Sequence, residues 1–162
     1  MQRVLGLRAF TLDDGLVDPA DRILHDRSSM ARLAPVRAPP GLRLLYRVLH
    51  RSRRVVPFVT MARVVARVGR RVSPGAYGSL ADIARTVHAV EQETGLADCY
   101  PRSLLTCYLC LRSARTCQLS LGTLAPTRKM HAWCTSDGEL PYEALPEHYL
   151  YRPLLRLQFE PT

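Results

Sequence analysis

Lysine is nearly absent: Lys129 is the one lysine among 23 basic residues, and the other twenty-two are arginines. Aromatic side chains make up 7% of the chain. In the basic stretch 41–71 they come down to Tyr46 and Phe58, and no base-reading motif follows, so a nucleic-acid-binding module is poorly supported. No uncharged run approaches the ~20 apolar residues of a membrane helix. The apolar run Ser103 to Leu111 is closed off by Arg102 and Arg112. A transmembrane segment is therefore not expected. Arg8, Asp13 and Asp14 interrupt any apolar stretch near the start, so neither is a secretory signal. The cysteines are Cys99, Cys107, Cys110, Cys117 and Cys134, an odd number that reads as reduced, cytoplasmic thiols. Cys107-x-x-Cys110 is half of a zinc site, but no second Cys-x-x-Cys or His-x-x-x-His pair completes it. It also falls within the apolar helical pattern Leu104, Leu105, Tyr108, Leu111, which favours buried small side chains. No metal or cofactor is expected.

What remains is a domain's worth of sequence, 162 residues and 47% hydrophobic, too apolar for a disordered chain despite twelve prolines. It divides into residues 1–40, 41–78 and 79–162. The first part alternates short apolar runs with turns at Asp13-Asp14-Gly15 and Asp18-Pro19, which predicts two or three short strands before a linker at Pro35, Pro39 and Pro40. The second holds nine arginines and no acidic residue over 41–71, equal to the net charge of +9. Leu42, Leu45 and Leu49, then Met61, Val64, Val65 and Val68, lie at helical spacing against arginine faces, with a break near Pro57.

The third part begins with helices. Ser79-Leu80-Ala81-Asp82 resembles a capping box, Ile83, Val87 and Val90 follow, and Gly95 marks a stop. Asp98 caps a second helix that tolerates Pro101 in its first turn and runs to about Ser113. After Cys117 the pattern alternates, predicting strands over Leu119–Thr123 and Met130–Thr135, a turn at Asp137-Gly138 into Glu139–Leu145, and an edge strand after Pro153 in the tail. Helices followed by an antiparallel sheet make the fold class α+β.

Cys99 begins a predicted helix, where unpaired N–H groups and the macrodipole favour a thiolate. His131 lies on a strand ahead of Ala132-Trp133. A helix-start thiol followed by a strand histidine is the order used by thiol hydrolases, and the histidine needs a third group to fix its tautomer. If Ser136-Asp137-Gly138 form a three-residue loop, Thr135 pairs with Glu139 and His131 faces Glu143. A two-residue Asp-Gly turn instead sets Glu143 opposite Ala132 and points it away from His131. Asp137 at the tip is roughly 20 Å along the strand, at ~3.3 Å per residue, and reads as a turn residue.

Asp98-Cys99-Tyr100-Pro101-Arg102-Ser103, then His131-Ala132-Trp133 and Asp137-Gly138, resemble the lasso-peptide B proteins, over about residues 79–158. These are transglutaminase-like cysteine proteases that remove the leader from a ribosomally made lasso precursor. The resemblance implies a transglutaminase/papain-like core over 79–162, with Cys99 as nucleophile and His131 as base. Family members carry Asp twelve residues after the histidine, where this chain has Glu143. They also usually end the preceding strand with Gly-Val, which Leu121-Gly122-Thr123 matches in part. Residues 1–40 resemble a reduced or remnant leader-recognition element. The implied partners are the lasso precursor peptide, a separate leader-recognition protein and an ATP-dependent lasso cyclase. A transglutaminase-like amidase or acyltransferase shares the acyl-enzyme chemistry and stands as the alternative. The arginine helices of 41–71 fit an acidic protein surface, an acidic precursor stretch or anionic lipid better than nucleic acid.

Overall fold

The structure, a computed structural model, describes residues 8–10, 22–33, 35–71, 77–124, 127–144 and 151–161. The turns expected at Asp13-Asp14-Gly15 and Asp18-Pro19 lie outside the described residues. In chain order the elements are β1 (Arg8–Phe10), β2 (Arg22–Ile23), α1 (Arg27–Ala31), α2 (Pro40–Ser52), α3 (Phe58–Arg71), α4 (Leu80–Thr94), α5 (Cys99–Arg112), β3 (Cys117–Leu124), β4 (Lys129–Thr135), β5 (Glu139–Leu140) and β6 (Arg152–Phe159). The fold is α+β, and among the described residues no helix is long and apolar enough to cross a membrane.

Cap chemistry sets the helix ends next to the site. Ser79 and Asp82 close a reciprocal capping box on α4, and Gly95 ends that helix in the left-handed region at φ 67°. Asp98 caps α5 by accepting the Tyr100 N–H, and Pro101 sits in the first turn, where its missing donor costs nothing. The five-residue α1, absent from the sequence reading, is capped by Asp26 and Ser29 in the same way.

Helix α5 is apolar on nearly every face because it is covered on nearly every face. It packs against α2, α3 and α4 on one side and β3 and β4 on the other. Leu104, Leu105 and Leu109 are fully buried, each contributing about 1.5–3 kcal/mol of transfer free energy. The buried face of α3 differs in part from the expected one, which Val65 and, half-buried, Met61 do share. Phe58, Ala62, Val65, Ala66 and Gly69 turn inward, whereas Val64 and Val68 are about half exposed. Close approach decides this: a Cβ on Gly69 would lie 3.3 Å from both Leu111 Cβ and the Tyr108 carbonyl oxygen.

The main sheet is antiparallel in the order β1-β6-β3-β4, and β2 pairs with β5 in a separate parallel ribbon. The tail strand β6 is thus internal, not the expected edge, because β1 adds outside it. Pro153 is accommodated there because it pairs with Gly122 where the β3–β6 register shifts, so the ladder loses no regular donor.

Candidate active site

Cys99 is the first residue of α5, and the other four thiols lie buried in the core. The preceding Asp98 is held from α2 and the turn after it: its carboxylate pairs with Arg53 and lies 3.7 Å from His50 Nε2. Cys99 itself is half-buried, with its thiol hydrogen-bonded to His131 and receiving the Ala132 N–H.

His131 is completely buried on β4. Trp133 stacks on its ring at 5.6 Å between centroids, and Tyr151 tilts against it at 4.8 Å. The stack depends on Gly122, the cross-strand partner of His131. A Cβ there would come within 2.6 Å of the Arg152 carbonyl oxygen and 2.8 Å of the Trp133 ring.

Glu143 reaches His131 by a route that the hairpin arithmetic missed. Ser136 pairs with Glu139 across a two-residue Asp137-Gly138 turn, with φ of 55° and 77°. A continued ladder in that register would turn Glu143 away. The ladder ends instead: β5 leaves to pair with β2, and the Glu143 N–H donates to the His25 carbonyl at 3.0 Å. Glu143 Oε2 then lies 2.9 Å from His131 Nε2. This fixes the Nε2–H tautomer and leaves Nδ1 as the ring nitrogen for the thiol. Asp137 stays at the exposed tip, paired with Arg115 at 3.3 Å.

Behind this trio runs a buried polar chain that the sequence reading did not assign. Arg102 places Nη1 3.1 Å from Glu143 Oε1 and Nε 2.8 Å from Glu91 Oε1. Glu91 also accepts from the hydroxyls of Tyr46 at 2.9 Å and Tyr142 at 3.2 Å. The Tyr142 hydroxyl meets His88 Nδ1 at 3.0 Å, and its ring lies under the Arg102 guanidinium. Glu91 carried a readable signal, since it continues the inward face Ile83, Val87, Val90 of α4. A carboxylate at such a position requires a buried cation.

Burial opposes charge on both members of the Cys99–His131 pair, and their mutual contacts overcome it. Burial pushes the Cys99 thiol up, but hydrogen bonds from His131 and the Ala132 N–H, with the charges of His131 and Arg102, bring it below its ordinary value. Burial pulls His131 down, yet its bonds to Cys99 and Glu143 and their charges carry it up to about 9. Both shifts favour thiolate and imidazolium over thiol and imidazole.

Cys107 and Cys117 approach to 3.3 Å between sulfurs. Among the described residues no group of three or more His, Cys, Asp or Glu side chains is placed to hold a metal ion.

The family model of the transglutaminase-like superfamily matches residues 42–156, a span from α2 into β6 that contains the whole site. No curated protein and no solved structure matches the chain.

Proposed function

This chain belongs to the transglutaminase-like superfamily, which includes cysteine proteases, and we propose that it is a cysteine peptidase that removes the leader from a ribosomally made lasso-peptide precursor. The observation that carries the chemistry is the continuous contact Cys99–His131–Glu143, anchored by Arg102 and Glu91. The motif Asp98-Cys99-Tyr100-Pro101-Arg102-Ser103 with His131-Ala132-Trp133 supports the lasso substrate.

In this reading the Cys99 thiolate attacks the scissile carbonyl carbon and the carbonyl π electrons move to oxygen. As the tetrahedral intermediate collapses, the imidazolium of His131 gives its Nδ1 proton to the departing amine, leaving a thioester on Cys99. His131, now neutral, takes a proton from water as that water attacks the thioester; the acid product leaves and the thiolate–imidazolium pair returns. Glu143 holds Nε2–H throughout and stabilises the imidazolium. It stands where the lasso-peptide B proteins that this chain resembles carry Asp.

A separate recognition protein and an ATP-dependent cyclase would then act beside it in the cytoplasm. The test is incubation with precursor and recognition protein, read by mass spectrometry. Loss of the leader mass, abolished by Cys99→Ala, is expected. Ammonia release with the leader retained would move the assignment to an amidase or acyltransferase.

A further inference from the structure

A concave groove opens beside the nucleophile's helix, lined by Arg47, His50, Arg51, Arg54, Thr94 and Leu96. Its cationic wall is the end of α2 and the turn after it. The opposite wall is the end of α4 and the segment leading to Cys99. The neighbouring arginines are already paired, Arg43 with Glu93 and Arg53 with Asp98. Arg47, Arg51 and Arg54 have no acidic partner among the described residues, and no acidic residue occurs anywhere in 41–71 to cancel their field. Three arginines thus line one concavity with no ion-pair partner among the described residues.

The groove is tied to the thiol. Leu96 stands three positions before Cys99, a span of at most about 11 Å of extended chain. Gly95, in the left-handed region, turns the chain out of α4 to place Leu96 on the wall. His50 lies in the groove and within 3.7 Å of Asp98, the residue that caps the nucleophile's helix.

We propose that this groove binds an acidic stretch of the peptide substrate and thereby sets where the chain crosses Cys99; the claim rests on the peptidase reading for its consequence but not for its binding. The spacing fits an extended peptide. Arg47 and Arg51 are about 6 Å apart along the helix axis, close to the ~6.6 Å between side chains i and i+2 of a strand. Two acidic residues in an alternating pattern therefore meet two arginines. A bilayer is too flat to enter a concavity walled by Thr94 and Leu96. A nucleic-acid duplex carries one charge per ~1.7 Å and needs a longer basic track.

The experiment uses the whole chain and a fluorescein-labelled octapeptide of alternating Glu and Ala, with a Gln/Ala octapeptide as control. Fluorescence anisotropy should show binding of the Glu/Ala peptide only. Arg47→Ala/Arg51→Ala should weaken it about tenfold, while Arg63→Ala/Arg67→Ala, the same charge loss on α3, should change it less than about twofold. Bound peptide should also slow alkylation of Cys99 by iodoacetamide, and in the cleavage assay the Arg47/Arg51 variant should raise KM with kcat unchanged. Equal loss in both double variants, equal binding of the Gln/Ala peptide, or unchanged Cys99 alkylation each overturns the proposal. So does binding of phosphatidylglycerol vesicles or duplex DNA, rather than the peptide, through Arg47 and Arg51. Peptide binding that behaves as expected in a protein that cleaves no precursor would refute the peptidase reading alone.

Discussion

Replacing Glu143 by Gln keeps the side chain's shape and removes its charge. In the native protein Glu143 is 2% exposed and meets Arg102, His131 and the Ala144 N–H. His131 stands at about 9 against its ordinary 6.5, a displacement worth roughly 3 kcal/mol at 1.36 kcal/mol per unit. Glu143 supplies one hydrogen bond and one charge of the four contacts that raise it, and Cys99 supplies the others. Losing the carboxylate therefore removes on the order of half the support, about 1–2 kcal/mol, and lets burial pull His131 back toward neutrality.

The assay is kcat/KM against pH for wild type, Glu143→Gln and Glu143→Asp. Wild type should give a bell with its acid limb at the lowered thiol and its basic limb near 9. The Gln variant should move the basic limb down by about a unit and lose roughly tenfold or more at the optimum. Asp should restore the limb in part, since it keeps the charge but shortens the reach. Stability follows the same sign. A raised histidine stabilises the fold below its unfolded value and loses that contribution as pH rises from about 6.5 through about 9. In Glu143→Gln that decline should shrink. A basic limb that stays near 9 in the Gln variant would remove Glu143 from the proposed mechanism.

The other expectations concern its surroundings. Arg102→Met strands two buried carboxylates, so urea titration should show a loss of about 3–5 kcal/mol; a loss under 1 kcal/mol would mean that Glu91 and Glu143 find other partners. Gly122→Ala should destabilise by about 1–3 kcal/mol through overpacking against Trp133 and the Arg152 carbonyl, although Gly to Ala in a strand ordinarily helps; a rise in Tm would contradict the crowding. Cys99 should be the first thiol that iodoacetamide modifies near neutral pH, because the other four are buried, and peptide mapping reads this directly. Asp137→Asn should leave cleavage at the wild-type rate, since the residue sits exposed at φ 55°, a conformation Asn tolerates well.

Local chemistry was legible in the sequence and distant chemistry was not. Ser79, Gly95, Asp98 and Pro101 mark helix ends through contacts within a few residues, so α4 and α5 could be drawn closely. On α3, Val65 follows the hydrophobic pattern, but Ala62, Ala66 and Gly69 are buried by the nearness of α5, a property of two helices and not of either one's hydrophobicity. The His131–Glu143 contact is present, but the register argument for it fails. Ladder arithmetic holds only while strands stay paired, and here β2 and His25, more than a hundred positions earlier in the chain, draw the segment away. The bond from Arg102 to Glu143 depends on that same path, so its partner could not be read from the sequence either.

The internal place of β6 has a consequence for the order in which the molecule is completed. Arg8 pairs with Gln158, so β1 has no neighbour until almost the last described residues have been synthesised. Helix α5 and the β3–β4 hairpin close over short separations and can form early, while contacts of this span are the slow ones. On the ribosome, the thiol and the imidazole are thus both made before the sheet that backs them is closed. Leu157 and Phe159 bring the last cover over β3, and Tyr151, just ahead of β6, closes on the His131 ring. A nascent chain therefore carries Cys99 and His131 before β6 has joined β3 and β1 has joined β6.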